Sequence, residues 1–304
     1  MRVEGSRVMV LGCGGMLGSS VRRHLVSIGC EVHASDIDVN EDWLSYLDVR
    51  HYESVRSAAE EFRPDLIINL AALTDLEACE RDHFGSWMTN SLGAENCGLV
   101  ANGLGVPYVY ISTAGVFGGE QEFYTDYDAP RPLSAYARSK HWGESWTLRS
   151  AKEGYVFRAG WMMGGGPRKD KKFINKLVRQ LTAGKDVLHV VDDKLGTPTY
   201  TEDFARGIVR VVSAGVPGLY NQVCGGSGSR YDVALRVVEG LGLGGRVSVV
   251  RVDSDHFKEE YFAPRPASEK LVNLKLDALG LNVMRDWETC LDEYLEEFRP
   301  LFAK

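Results

Sequence analysis

A chain of 304 residues predicts about two domains, or one large α/β domain carrying an insertion. Its composition, 44% hydrophobic and 25% charged, is globular and excludes the disordered and fibrous classes. With 35 basic against 42 acidic residues and a net charge of −7, the surface is not one for nucleic acid or anionic membrane. No run of about 18 apolar residues is present, and the amino terminus carries no signal peptide pattern. Six scattered cysteines without a CxxC pair predict reduced thiols. The expectation is a soluble, cytoplasmic protein.

Val8–Leu11 is a run of apolar residues that ends in a glycine cluster. Leu17, Val21, Leu25 and Ile28 follow on one helical face, and Glu31–Ala34 predicts a second strand. Val55, Ala58, Ala59 and Phe62 mark another helix, closed by Pro64, before a strand at Leu66–Leu70. A helix is expected over 84–103, with strands at Val106–Ile111 and Tyr155–Ala159. Unbroken apolar strands separated by helices imply a doubly wound parallel sheet covered on both faces. After about residue 160 the elements shorten, punctuated by Gly164–Pro167, Gly225–Ser229 and Ala263–Ala267. A last helix carries Trp287, Leu291, Tyr294, Leu295 and Phe298 before Pro300. The expected organisation is a first domain over 1–160, rejoined by parts of 196–223. A smaller, mixed and discontinuous domain over 161–304 closes over the strand ends.

The first strand runs into Gly12-Cys-Gly-Gly15-Met-Leu-Gly18 and then a helix. Glycines there allow a tight turn and a bare backbone against which a pyrophosphate can lie at the helix amino terminus. Position 17 is Leu, so the register is G-x-x-G-x-x-G on Gly12, Gly15 and Gly18. The second strand leads to Ser35-Asp36, where a carboxylate meets the adenosine ribose of a dinucleotide. Asp36 accepts bonds from a free 2′-hydroxyl and repels a 2′-phosphate, which favours NAD(H) over NADP(H); Asp38 is an alternative for the same role. This is a Rossmann-like nucleotide site.

Tyr136-Ala-Arg-Ser-Lys140 places a phenol and an ammonium on one helical face. That pair suits hydride chemistry at a carbonyl: the phenol donates a proton and the nearby cation lowers its pKa. The strand Val106–Ile111 leads into Ser112-Thr113, which supplies a hydroxyl for the carbonyl oxygen at the edge where doubly wound folds bind ligands.

Taken together, Gly12–Gly18, Asn69–Ala72, Ser112–Gly118 and Tyr136–Lys140 resemble the extended short-chain dehydrogenase/reductases, which act on nucleotide sugars. Further motifs are Leu73-Thr74 with Ala78-Cys-Glu80, Phe157–Trp161, Gly196–Tyr200 with Asp203, and Arg265-Pro266 with Leu271. They resemble the dTDP-4-dehydrorhamnose reductase branch and span nearly the whole chain. The resemblance implies NAD(P)H-dependent reduction of a nucleotide-linked 4-keto-6-deoxyhexose in deoxysugar biosynthesis. By the same resemblance, Gly12, Gly15, Met16, Leu17 and Gly18 hold the pyrophosphate, with Asp36 on the ribose. Asp48 and Val49 meet the adenine, while Ala71, Ala72 and Asn90 line the nicotinamide side. Thr113, Tyr136 and Lys140 form the catalytic trio. Thr74 and Trp161 touch the hexose, the indole as a flat apolar wall, and Arg265 lies near the nucleotide end of the substrate.

Where that branch carries Asp and then Tyr after its Ser-Thr pair, this chain has Ala114 and Gly115. The missing acids disfavour 4,6-dehydration, and no Cys and His of the fucose-synthase type flank Ser112. A 4-epimerase with tightly held NAD⁺ stays open, as does a non-catalytic subunit similar to the regulatory β subunit of methionine adenosyltransferase. Lys169-Asp-Lys-Lys172 is a solvated loop or a phosphate contact. Ser229 caps a helix through Val233, Val237 and Val238, or Gly225–Ser229 forms an anion nest. Trp142 and Trp146 serve core packing or pair two copies into a homodimer. Seven histidines without a ligand cluster predict no metal.

Overall fold

The computed structural model describes residues 1–302. Strand β1 (Arg7–Leu11) precedes helix α1 (Met16–Ser27), strands β2 (Glu31–Asp36) and β3 (Ser45–Tyr46), helix α2 (Tyr52–Phe62) and strand β4 (Leu66–Asn69). Short helices α3 (Leu76–Arg81) and α4 (His83–Trp87) lead through a π-turn at Met88–Leu92 into α5 (Gly93–Leu104). Strand β5 (Tyr108–Thr113), helix α6 (Ala135–Ser150) and strand β6 (Gly154–Ala159) complete the first half. The chain continues through β7 (Trp161–Met163), α7 (Gly166–Lys169), α8 (Phe173–Thr182), β8 (Val187–Val191), β9 (Leu195–Gly196) and β10 (Pro198–Tyr200). Next are α9 (Thr201–Ala214), β11 (Gly218–Asn221), β12 (Gly228–Ser229), α10 (Arg230–Gly240) and β13 (Ser248–Val252). Strand β14 (Ser268–Glu269) and helices α11 (Leu274–Ala278) and α12 (Trp287–Leu295) follow. Among the described residues no helix is long and apolar enough to cross a membrane.

Seven strands form one parallel sheet in the order β11-β6-β5-β4-β1-β2-β3. The apolar strands alternate between two faces, because successive side chains in a strand point to opposite sides. Val8, Val10, Leu66, Ile68, Val109, Ile111, Tyr155 and Phe157 enter one buried cluster, with α1 and α9. Met9, Leu11, Ile67, Tyr108, Tyr110 and Val156 enter the other, with α2 and α5. Each such aliphatic side chain contributes about 1.5–3 kcal/mol by leaving water. The strand order reverses between β1 and β4, so a crevice opens at their carboxyl ends, where ligands of such sheets sit.

A third cluster joins α8, α10 and α12 to the parallel pair β8–β13, with Leu177, Val237, Leu291 and Phe298 inside it. Ser229 caps α10 in a reciprocal box with Asp232, so the glycine-rich stretch before it serves helix initiation. All six cysteines are buried and free.

Two local expectations change, and two short elements were not foreseen. The single helix over 84–103 is interrupted by the π-turn at Met88–Leu92. The strand placed at Val106–Ile111 begins instead at Tyr108 and reaches Thr113, since Pro107 has no N–H to give the ladder. The short elements β3 and α3 carry too little apolar periodicity to be read from sequence.

Candidate active site

The glycine loop lies at the head of the crevice. Gly12 adopts φ +73°, and a Cβ there would sit 2.3 Å from the Ala71 nitrogen; only glycine lets the turn after β4 pass so close. At Gly18 a Cβ would strike the Cys13 carbonyl oxygen at 2.3 Å, so this glycine serves the close packing of helix on loop. Gly15 is exposed, with no protein atom nearer than 4.0 Å to its Cβ position. It opens α1 without a side-chain cap, which leaves the N–H groups of the first turn free for an anion. Leu17 buries its side chain in the core, so its share in anion binding is restricted to the main chain. This cradle fits a dinucleotide pyrophosphate.

Asp36 ends β2 with its carboxylate fixed by two main-chain donors, Gly14 N at 2.8 Å and Asp38 N at 3.0 Å. Each oxygen keeps a lone pair for a further hydroxyl. Asp38, the alternative, stays exposed. The expected adenine contacts need correction at their side chains. The Asp48 carboxylate is buried and held by Arg50, whose guanidinium pulls its pKa down. Val49 is buried against Gly93. What this stretch offers a base is main chain.

Asn69 shapes the next wall. Its Oδ1 accepts from Ala71 N at 3.0 Å while its Nδ2 donates to the Tyr108 hydroxyl, leaving Ala71 and Ala72 half-buried at the crevice. Asn90 does not line that crevice with its side chain. It is fully buried in the π-turn and its amide is spent on Leu73 N, Leu73 O and Ser139 Oγ. It acts as a clamp between the β4 turn and α6.

Ser134 caps α6, which fixes Tyr136 and Lys140 one turn apart. Strand alternation separates Ser112 from Thr113. Ser112 Oγ donates to Glu144 Oε2 at 2.7 Å, and Thr113 faces the phenol of Tyr136. Burial pushes the Tyr136 phenol up, and the Thr113 hydroxyl works against that rise. Lys140, only 3% exposed, holds its ammonium 4.2 Å from the Tyr110 ring centroid. Burial lowers it to about 7, against the pull of Glu144. The cation expected to lower the phenol is thus itself depressed.

Beneath the trio lies a pair that sequence inspection missed. Arg158 on β6 and Glu144 on α6 are both buried and joined by two bonds of 3.0 and 2.6 Å. Burial pushes Glu144 up, but His141, Arg158 and Ser112 more than offset this and hold it at about 2. The readable signal was an arginine inside an apolar strand, because a buried charge demands a partner.

The substrate-side residues divide. Thr74 is exposed and receives Lys172 Nζ on both its carbonyl and its hydroxyl at 3.1 Å. Of the same stretch Lys169 pairs with Glu41 at 3.2 Å, joined by the neighbouring Arg168 at 3.3 Å, while Lys171 stays exposed. Arg265 pairs with Glu77 at 2.8 Å. Trp161 is not a free apolar wall. The Arg230 guanidinium covers its ring at 3.7 Å, and its Nε1 donates to Glu269 at 2.7 Å. Neither Arg230 nor Glu269 was singled out from sequence. Trp146 packs on Gly98, whereas Trp142 is half exposed beside Trp87.

A glycine cradle at the switch point and a Tyr/Lys helix against the end of β5 define an extended short-chain dehydrogenase/reductase. The chain belongs within that class to the family described as RmlD substrate binding domain, which matches residues 6–300. It is 31% identical over 293 residues to the spore coat polysaccharide biosynthesis protein SpsK of Bacillus subtilis, covering 96% of this chain and 98% of that one. It is 30% identical over 300 residues to a dTDP-4-dehydrorhamnose reductase of Mycobacterium tuberculosis, with 96% and 93% covered. Among solved structures, the dTDP-4-dehydrorhamnose reductase of Bacillus anthracis in complex with NADP superimposes with a TM-score of 0.87. That match has 26% identity and covers 96% of this chain and 99% of that one.

Proposed function

We propose that the protein reduces the C4 carbonyl of a dTDP-linked 4-keto-6-deoxyhexose, in the biosynthesis of a deoxysugar. One observation carries the reading: Thr113, Tyr136 and Lys140 share the carboxyl edge of the sheet with an uncapped, glycine-lined helix start. Kinship with reductases of dTDP-4-keto sugars supports the substrate class. A reduced nicotinamide dinucleotide, when bound, supplies the hydride. Gly15 and the main chain of Met16 and Leu17 hold its pyrophosphate, and Asp36 holds the adenosine ribose. Tyr136 gives its phenolic proton to the sugar oxygen as C4 is reduced, and Thr113 hydrogen-bonds the same oxygen. Lys140 supplies positive charge beside the phenol. Thr74 lies toward the hexose, and Arg265 toward the nucleotide end of the substrate.

The fixed Asp36 carboxylate, with Asp38 close by, supports NADH over NADPH, because a 2′-phosphate would meet negative charge on both sides. Buried, free cysteines support a reducing compartment such as the cytoplasm. The test follows the absorbance of NADH and NADPH in parallel with dTDP-4-dehydrorhamnose. Consumption is expected, faster with NADH; binding of both cofactors without consumption of either contradicts the reductase reading.

A further inference from the structure

The crevice beyond Thr113 contains a carboxylate that the reduction step leaves unused. Glu269 stands on β14, which pairs with β9, and its Oε2 accepts from Trp161 Nε1 at 2.7 Å. Its Oε1 has no protein hydrogen-bond partner among the described residues. That oxygen lies 3.2 Å from the point where Gly115 would carry a Cβ, and Thr113 Oγ1 lies 3.5 Å from the same point. The carboxylate and the Thr113 hydroxyl therefore both border Gly115, and no side chain at that position stands between them.

The carboxylate is held there by its surroundings. Gly196 and Arg230 crowd the Trp161 indole, so its N–H keeps a fixed aim on Oε2. Burial raises the Glu269 carboxyl, opposed by the Trp161 bond and by Arg230, Arg265 and Lys194. No cation forms an ion pair with it among the described residues. Oε1 is not sealed from solvent, so a ligand donor can reach it and complete the carboxyl group. Hydroxyl groups of a hexose are such donors.

Resting on the reductase reading, we propose that Glu269 determines substrate choice by accepting a hydrogen bond through Oε1 from the sugar hydroxyl next to the reacting carbonyl. With the C4 oxygen held by Thr113 and Tyr136, the neighbouring C3 hydroxyl is the group that reaches the space over Gly115. The protein is thereby a reductase of 3-hydroxy-4-keto sugars and discriminates against 3-deoxy ones. A site built to bond a hydroxyl rejects the analogue lacking it, because its own polar group is then left unpaired.

The test compares kcat/KM for a dTDP-4-keto-6-deoxyhexose with that for its 3-deoxy counterpart, in the unaltered protein, Glu269→Gln and Glu269→Ala. The unaltered protein should favour the 3-hydroxy sugar by about 10–100-fold, the range of a hydrogen bond to a charged group. In Glu269→Ala the ratio should fall to near one, with Glu269→Gln between. A folding defect lowers both substrates equally and leaves the ratio alone, so the ratio reads the contact itself. An unchanged ratio in both variants overturns the proposal. Absence of turnover of either sugar by the unaltered protein defeats the reductase reading, and the proposal with it.

Discussion

Lys140 is a buried lysine whose charged form is penalised by its surroundings, and that penalty has a consequence for stability. Its folded-state pKa is lowered to about 7, well below the ordinary lysine value of about 10.4. Below about pH 7 both folded and unfolded chains hold the proton and the cost of burying it is present in full. Between pH 7 and 10 only the unfolded chain holds it, so stability rises with pH, by at most about 1.4 kcal/mol per unit from this group. Denaturant unfolding across that range should show the rise in the unaltered protein and a flatter profile in Lys140→Met. Parallel profiles for the two would mean that the lysine is not desolvated. The residues that sequence left unread are of the same kind. Arg158, Glu144, Arg230 and Glu269 are single charges without a local motif, and apart from His141 beside Glu144 their partners lie 14 to 108 positions away. Thr113, Tyr136 and Lys140 were legible because strand end and helix turn place them by local geometry.

Elements were readable wherever burial imposes a period. The strands Arg7–Leu11, Leu66–Asn69 and Gly154–Ala159 are apolar because both faces of the sheet are covered. The π-turn in the helix before β5 was not legible, since one extra residue in a turn leaves no compositional mark. Its effect is to bury Asn90 as a clamp, which turns an expected ligand-lining residue into a structural one. Helix α2 ends on Arg63 at φ 53°, a left-handed position that favours glycine. Arg63→Gly should therefore raise stability by about 0.5–1 kcal/mol, the relief of the left-handed strain less the added freedom of the unfolded chain. Urea midpoints measure this, and a lowered midpoint would show that the arginine side chain contributes more than its backbone costs.

At the scale of the whole molecule, contacts from the second half converge on the crevice edge. Lys172 reaches Thr74, and Arg168 with Lys169 reaches Glu41. A basic stretch that sequence offered as a solvated loop or a phosphate contact is thus divided between two flanks of the crevice. Strand β11 joins the main sheet beside β6, and α9 shares a buried cluster with α1, so residues after 200 return to the first half. The sequence motifs put the glycine loop after β1, Thr113 at the end of β5 and Tyr136 with Lys140 on α6, where the structure has them, because these positions follow directly from strand ends and a helix turn. They did not reveal how the sugar side is built, because that wall is assembled from β7, β9, α10 and β14 across more than a hundred residues.

The central claim is that hydride reaches C4 of a dTDP-linked 4-keto sugar while Tyr136 supplies the proton. The most direct measurement uses NADH deuterated at the transferring position of the nicotinamide, with dTDP-4-dehydrorhamnose, and locates the label in the product. Deuterium is predicted at C4 of the sugar, and Tyr136→Phe should form that product at least about a hundredfold more slowly. Label at another carbon, or a Tyr136→Phe rate within a few-fold of the unaltered protein, would contradict the account.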